Sequence, residues 1–312
     1  MVANTRFCMK RILRFLIILN IFSSLCLADS EPAVWAKTRL NMGFYAPSIT
    51  EIASLSDIEV SMNFWVKDFI TVEARKRGIE VFDSRALLFD NIIDIHDALI
   101  RGELDFVIAP PMLLAKYFQR SELQDGFTGI LQGRRPDNLI LIARGDKHVQ
   151  GVQDLKGKRI TLHENDEFAA MYLDSLFLEQ FHQPVERLAS QILKQTKGSR
   201  IVLDVYFGNV DAGLVYRNAF EVMAELNPDI AKKLIIIDQY PIKSRNFGYF
   251  ASSYPYAKEL TLIASESFLG SARAKQILEV FKTPEIDNCA VSELDAYQQF
   301  DQRYQVLRKQ IK

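Results

Sequence analysis

Asp154-Leu155-Lys156-Gly157-Lys158-Arg159-Ile160 is the stretch of sequence that decides the fold. Gly157 ends a short polar turn, because a residue without a Cβ tolerates the backbone conformations that tight turns need. Two cations and the apolar run Ile160-Thr161-Leu162 follow, and this order predicts a buried strand. An α/β pattern is already complete before this point, so we interpret the strand as the first of a second α/β lobe.

Residues 1–28 are predicted to be a secretory signal peptide. Basic residues precede an apolar run that begins at Phe15, and Cys26-Leu27-Ala28 places small residues where a signal peptidase reads them, with cleavage before Asp29. The alternative is a retained membrane anchor, although the run is short for a membrane-spanning helix. The leader predicts an exported, periplasmic protein, and with the second lobe it favours a two-lobed receptor over a single-pocket enzyme.

Composition limits the remaining possibilities. Removal of the leader would leave Cys289 as the last of three cysteines, so the exported chain would have no intramolecular disulfide. We interpret Cys289 as a half-buried apolar residue rather than a nucleophile. A formal net charge of −1 without a basic stripe argues against a nucleic-acid partner. The length suffices for two modest domains, and we expect a monomer.

Strands and helices are predicted to alternate along most of the chain. The predicted strands are 39–45, 79–82, 106–109, 139–143, 160–162, 210–216, 234–237 and 247–251, and the predicted helices are 63–77, 91–101, 167–181 and 199–207. We interpret strands 139–143 and 247–251 as the outward and return crossings between two lobes. From Glu259 to Gln310 the sequence predicts only helices, packed on the first lobe.

Four segments resemble, in the same order, the phosphonate/sulfonate/transferrin-like substrate-binding proteins of ATP-binding-cassette (ABC) importers. These segments are Asp97–Val107 followed by Pro110-Pro111, Asp154–Ile160, Gly208–Val215 and Ile277–Thr283. The resemblance implies an α/β fold of the type 2 periplasmic-binding-protein class, with two lobes of mixed sheets flanked by helices and joined by two crossing hinge strands. Residues 29–136 and 246–312 would form lobe 1, and residues 137–245 would form lobe 2.

The same resemblance implies a receptor that clamps a small ligand between its lobes and presents it to the permease of an ABC importer. A ligand-sensing component of a signalling system is the alternative. An enzyme on the same fold is less favoured, because the chain has no Gly-x-Ser-x-Gly elbow, no P-loop and no Gly-x-Gly-x-x-Gly motif. We expect no cofactor and no metal, since the four histidines lie on separate predicted elements.

Ligand groups in such a fold come from loops after strands and from helix N-termini. The candidate residues are Tyr45, Ser48, Asn63, Trp65, Pro111, Met112, Glu164, Asn165, Asp166, Tyr206 and Asp211. Several of them have a structural alternative. Tyr45, Trp65 and Tyr206 would equally suit core packing, Pro111 would suit a rigid rim, and Asp166 would suit a helix cap.

The segment Glu164-Asn165-Asp166-Glu167 bears most on the ligand class. Phosphonate binders of the resembled family usually have Ser and Thr here, whose hydroxyls and free backbone N–H groups hold an oxyanion at a helix N-terminus. This chain has three carboxylates in the same four positions, and they would repel an anion. The sequence therefore predicts a cationic or zwitterionic ligand rather than a purely anionic one.

Overall fold

Two five-stranded sheets carry the fold in the part of the chain that the computed structural model describes, namely residues 36–49, 54–130, 137–147, 149–266, 283 and 285–311. Sheet 1 contains, in spatial order, β2 (Ile79–Phe89), β1 (Ala36–Tyr45), β3 (Phe106–Ala109), β11 (Phe247–Ala251) and β4 (Leu123–Gln124). Sheet 2 contains β10 (Leu234–Ile242), β6 (Asp137–Arg144), β9 (Ala212–Tyr216), β7 (Arg159–His163) and β8 (Gln191–Gln195). A two-stranded sheet joins β5 (Gly126–Ile130) to β12 (Glu285–Cys289).

Both large sheets are mixed, as predicted. In sheet 1, β3 is parallel to β1 and antiparallel to β11. In sheet 2, β7 is parallel to β8 and β9, whereas β6 is antiparallel to β9 and β10. Parallel neighbours need a crossover of a dozen or more residues, and helices supply these crossovers here. Gly157, at φ +75°, makes the left-handed turn before β7 that the sequence predicts.

Helices flank the sheets. They are α1 (Leu55–Phe64) and α2 (Thr71–Lys76) with the π-helical turn Trp65–Ile70 between them, α3 (Ile92–Ile100), α4 (Pro111–Tyr117), α5 (Glu167–Phe181), α6 (Val185–Leu188), α7 (Gly198–Phe207), α8 (Arg217–Leu226), α9 (Pro228–Lys233), α10 (Ala257–Glu266) and α11 (Leu294–Lys309). The predicted helices at 91–101, 167–181 and 199–207 are confirmed. The one predicted at 63–77 begins earlier, at Leu55.

Aromatic rings fill the core of sheet 1. The ring of Phe106 on β3 lies 4.5 Å from the rings of both Phe127 and Phe250, and all three side chains are buried. Two apolar residues of the flanking helices are exposed, Val72 by 51% and Ile100 by 57%. Ile100 lies on the opposite side of α3 from Ile95, because five residues at 100° each turn the helix by about 140° past a full turn.

The predicted all-helical C-terminus is wrong. Residues Glu285–Cys289 form strand β12, which pairs antiparallel with β5 and places Cys289 opposite Gly126. Backbone pairing overrides the weak strand preference of its polar residues. Residues 277–282 of the fourth resembling segment, and the predicted leader at 1–28, lie outside the described residues.

The return passage between the sheets is shorter than the sequence suggests. Strand β11 pairs with β3 and β4 inside sheet 1, so the passage from sheet 2 consists of residues 243–246. Lys243 Nζ donates to Glu293 Oε1 over 2.7 Å, and Ser244 Oγ donates to the Gly129 carbonyl over 2.8 Å. These bonds anchor the passage to Glu293, just before α11, and to Gly129 on β5. The predicted lobe boundaries stay a prediction.

Helix α11 packs against α4, beside sheet 1, and against α5, beside sheet 2. Near its start, the Tyr297 ring lies 5.8 Å from the ring of Phe247 on β11. Near its end, Tyr304 Oη donates to Asp174 Oδ2 over 3.0 Å, and Arg308 Nε lies 2.7 Å from the same oxygen. The sequence predicts contact with the first lobe only, but the helix holds both sides together.

Substitution of Asp174 by Ala should lower the free energy of unfolding by about 1–3 kcal/mol, because it removes the acceptor of buried polar donors. These donors are the Val185 N–H and the Tyr304 hydroxyl, while Arg308 loses one of its two carboxylate partners and keeps Glu186. Urea unfolding followed by circular dichroism measures the change. Glu186→Ala is the matched control, since Glu186 pairs with the same Arg308 but its side chain is 58% exposed, and a loss of about 0–1 kcal/mol is expected there. Equal losses in both variants would contradict this account.

Cys289 should resist thiol reagents in the native protein. It is fully buried rather than half-buried, and burial raises the pKa of its thiol to about 12, so little thiolate forms at pH 8. Peptide mass spectrometry after maleimide treatment should find Cys289 unlabelled in buffer and labelled in urea. Native labelling at the rate seen in urea would refute the burial of this residue.

Candidate functional site

A cavity lies where α4, beside sheet 1, faces the start of α5, beside sheet 2. Its lining residues come from both sides and from the passage between the sheets: Pro47, Ser48, Pro110, Pro111, Met112, Leu113, His163, Asn165, Asp166, Glu167, Phe168, Tyr216, Ile242, Ser244, Arg245 and Tyr297. Its volume is about 40 Å³. In this conformation the cleft is nearly closed.

The sheet 1 wall is rigid and mostly apolar. Strand β3 ends at Ala109, and Pro111 then occupies the first turn of α4, where a missing N–H costs nothing. Met112 is fully buried beneath this turn. Ser48 lies in the short helical turn Ala46–Ile49 directly after β1, and its hydroxyl donates to the Tyr45 carbonyl over 2.9 Å.

On the sheet 2 side, one carboxylate controls the start of α5. Asp166 Oδ1 accepts from the Ala169 N–H over 2.9 Å, and Oδ2 accepts from the Tyr216 hydroxyl over 2.7 Å. The predicted helix cap is therefore confirmed. Burial, and then the negative charge of Asp166, raise the pKa of the Tyr216 phenol well above its usual value, so Tyr216 stays a donor.

An ion pair closes the cleft beside this cap. Lys116 at the end of α4 binds Glu167 in the first turn of α5, so the pair joins the two sides. Burial is the largest single influence on the pKa of Lys116 and lowers it, but the hydrogen bond to Glu167 and the nearby negative charges, that of Glu167 first, together outweigh burial, so the net shift is upward. Burial, and then the negative charge of Glu167, raise the pKa of the half-buried Tyr45 phenol.

Arg245, which the sequence analysis does not single out, brings a cation to the cavity from the passage between the sheets. Its guanidinium carbon lies 4.3 Å from the centre of the Tyr216 ring, in cation–π geometry. Arg245 also lines a smaller adjoining cavity together with His163, Asp166 and Tyr216. The sequence signal that was available is a basic residue just before the predicted return crossing at 247–251.

The structure brings five predicted site residues together around the cavity: Ser48, Pro111, Met112, Asn165 and Asp166. Tyr45 does not line the cavity, although the charge of Glu167 acts on its hydroxyl. The other five do not line it, so a direct ligand contact by any of them stays a prediction.

Each of these five has a structural contact. Trp65 is buried in the core, edge-to-face with Phe127 at 5.7 Å. The others bind as follows: Asn63 accepts from the Ala86 N–H, the exposed Glu164 donates its N–H to Gln195, Tyr206 donates to Asp229, and Asp211 accepts from the Arg159 N–H. Of these residues, Glu164 follows a strand as predicted, directly after β7. The prediction that Asn63 and Trp65 stand at a helix start is wrong, because the helical stretch begins at Leu55. Tyr206 lies near the end of α7, and Asp211 directly precedes β9.

Across the described ranges, no cluster of three or more His, Cys, Asp and Glu side chains is arranged to hold a metal ion. None of the helices in those ranges combines the length and the apolar character needed to cross a membrane.

Comparisons with known proteins agree on one fold. A family model described as "ABC transporter, phosphonate, periplasmic substrate-binding protein" matches residues 83–283. No curated protein matches the chain.

Three solved structures are similar. A Xanthomonas citri protein bound to ATP has 14% identity and a TM-score of 0.62, covering 88% of this chain and 99% of that one. PhnD1 of Prochlorococcus marinus in complex with methylphosphonate has 13% identity and a TM-score of 0.60, covering 85% and 98%. A binding protein component of an ABC phosphonate transporter from Pseudomonas aeruginosa has 14% identity and a TM-score of 0.58, covering 88% of each. At such identities the likeness shows the fold alone, and it confirms the predicted two-lobed architecture.

Removal of the Asp166 cap should destabilise the protein in a graded way. Asp166→Ala should lower the free energy of unfolding by about 0.5–2 kcal/mol more than Asp166→Ser, because Ser still caps the helix while both variants lose the carboxylate that accepts from Tyr216. Urea unfolding measures both, and Tyr216→Phe isolates the second hydrogen bond. Equal stability of the Ala and Ser variants would show that the cap contributes nothing.

Proposed function

The chain belongs to the family of periplasmic substrate-binding proteins of phosphonate ABC transporters, and we propose that it presents its ligand to the membrane permease of such an importer. Members of this family are solute-binding receptors and not enzymes. A ligand-sensing role is the less favoured alternative. We further propose a monomer that reaches the periplasm through the predicted leader at residues 1–28.

The observation that carries the proposal is a cavity with walls from both sheets and a third contribution from the passage between them. A ligand placed there would contact Pro111 on one side and Asp166 on the other, and so it would favour the closed arrangement. Such a ligand shifts a hinge equilibrium by its difference in affinity for the two states. The Lys116–Glu167 pair would then separate when the cleft opens.

The charges around the cavity support a ligand that is cationic or zwitterionic. Asp166 and Glu167 bring two carboxylates, while Arg245 brings a cation. A purely anionic ligand at the start of α5 would find the Ala169 N–H already bound to the Asp166 carboxylate. The Ala169 N–H and the positive end of the α5 helix dipole would attract an anion, but both already interact with the Asp166 carboxylate.

A panel of solutes tests the function and the ligand class together. The purified protein should show a raised thermal unfolding temperature with an amino acid, a polyamine or another amine-bearing solute. A ligand at a hundred times its dissociation constant adds about 2.7 kcal/mol of stability. Phosphate, simple phosphonates, simple sulfonates and thiamine-related pyrimidines complete the panel. Tight binding of phosphate or an alkylphosphonate would refute the ligand class, although not the receptor function.

A measurement of solute uptake distinguishes a transport role from a sensing role. A strain without this gene should lose permease-dependent accumulation of the radiolabelled solute that the panel identifies, and the wild-type gene should restore it. Unchanged accumulation combined with a changed transcriptional response to that solute would favour the sensing role instead.

A further inference from the structure

We propose that Tyr297, which α11 brings to the cavity, determines ligand specificity by donating a hydrogen bond from its phenol to an oxygen atom of the ligand. The ligand class assigned in this way is a compact amine that carries one oxygen acceptor, in a hydroxyl, a carbonyl or a carboxylate group. The inference rests on the proposed receptor function and deepens it, because it adds the residue that distinguishes one amine from another.

Three hydroxyl groups of the cavity lining have already given their hydrogen to the protein. Ser48 and Ser244 donate to backbone carbonyls over 2.9 and 2.8 Å, and Tyr216 donates to Asp166 over 2.7 Å. A hydroxyl has one hydrogen and two lone pairs, so these three groups can only accept a hydrogen bond from a ligand. The cavity therefore favours a ligand that is rich in donors, as an amine is.

A fourth hydroxyl of the lining, that of Tyr297, makes no hydrogen bond to any residue in the described part of the chain. The side chain is only 6% exposed. Its ring lies edge-to-face with Phe168 of α5 at 5.5 Å and with Phe247 of β11 at 5.8 Å. Buried polar groups of native proteins are nearly always hydrogen-bonded. For a buried phenol that lines a cavity, the ligand is the partner that meets this requirement.

Tyr297 keeps its hydrogen and is therefore a donor. Burial is the main cause that raises the pKa of its phenol, and the negative charge of Asp166 adds to the rise. Tyr297 in turn adds to the raised pKa of Tyr216, where burial is again the main cause. These effects place the Tyr297 phenol within electrostatic range of the Asp166–Tyr216 pair on the sheet 2 side of the cavity.

The start of α11 gives Tyr297 a firm support. Glu293, directly before the helix, accepts from the Ala290 N–H over 3.0 Å and from Lys243 over 2.7 Å. Leu294, the first residue of the helix, is buried. A phenol that is already ordered loses little conformational entropy when it binds a ligand, so its hydrogen bond contributes directly to the affinity.

Other polar residues of the lining are engaged elsewhere or exposed. Both ring nitrogens of His163 lie within hydrogen-bonding distance of backbone groups, at 2.9 and 3.3 Å. Arg245 lies against the Tyr216 ring, and its charge acts on Asp137. Asn165 is exposed, so water competes for its amide. Tyr297 is thus the buried hydroxyl of the described lining that can discriminate between ligands through its hydrogen, since a ligand without an acceptor leaves that group unpaired.

Isothermal titration calorimetry of the purified protein with matched small molecules tests the ligand class. Ethanolamine, glycinamide and glycine carry an amine and an oxygen acceptor. Propylamine carries the amine without the oxygen, and acetamide and acetate carry the oxygen without the amine. At least one of the first three should bind more tightly than propylamine, acetamide and acetate. Equal or tighter binding of propylamine would overturn the oxygen contact, and no binding by any of the amines would overturn the ligand class.

Tyr297→Phe should weaken the binding of the amine that binds best. The expected loss is about twofold to tenfold for a neutral oxygen and up to about a hundredfold for a carboxylate. Urea unfolding of the same variant without ligand should show unchanged or slightly increased stability, because the phenol makes no hydrogen bond within the described part of the protein. Lower affinity without lower stability separates a ligand contact from a structural role.

Tyr240→Phe is the matched control. The Tyr240 ring also lies edge-to-face with Phe168, at 5.1 Å, and its phenol also makes no hydrogen bond to a described residue, but it does not line the cavity. Its affinity for the same amine should equal that of the wild type.

Unchanged affinity in Tyr297→Phe would refute the proposal, and so would an equal loss in Tyr240→Phe, which would assign the effect to the aromatic cluster around Phe168. A ligand-free Tyr297→Phe protein that is clearly less stable than the wild type would make the phenol a structural group. The receptor function would fail separately, if the gene deletion changed neither uptake nor the transcriptional response to any amine of the panel.

Discussion

The two hydrogen bonds of the Asp166 carboxylate are the interaction on which the site depends. One caps α5 through the Ala169 N–H, and the other holds the Tyr216 hydroxyl of β9. A single side chain thus fixes where the helix begins and ties it to the neighbouring strand. The Tyr216 ring, held in this way, is the surface on which Arg245 stacks. The cap of α5, the end of β9 and the passage at residues 243–246 are therefore connected. A change at Asp166 would affect the position of Arg245 through the Tyr216 ring.

The two sides of the cleft are connected by a covalent passage, by a helix and by an ion pair, which differ in strength. Residues 243–246 connect β10 to β11 covalently, and Ser244 anchors them to the Gly129 carbonyl. Helix α11 is a second connection, with aromatic contacts near its start and hydrogen bonds to Asp174 near its end. The exposed Lys116–Glu167 pair is the weakest of these connections, because solvent screens it. Opening of the cleft would thus separate an ion pair at the mouth while leaving the covalent passage in place.

Much of the fold could be predicted because its elements are fixed by local signals. Helix α5 begins and ends at the predicted residues Glu167 and Phe181, since its cap and its apolar spacing agree. Strand β12 could not be predicted, because Glu285-Ile286-Asp287-Asn288-Cys289 becomes a strand only through its pairing with β5. Within the site, Asp166 was recognisable as a cap, whereas the direction of Trp65 into the core depends on Phe127, far away in sequence.

Arg245 shows why the family and the fold do not identify the ligand. The sequence alone gives no means of separating a cation that faces a cavity from one that faces water, because the two differ only in tertiary contacts. The fold supplies a cleft, and a few side chains at its rim decide which charge it attracts. In this chain the helix start that could receive an anion is filled by the Asp166 carboxylate, and the cation comes from the passage between the sheets. The ligand therefore has to be inferred from the residues of this cavity rather than from the relatives.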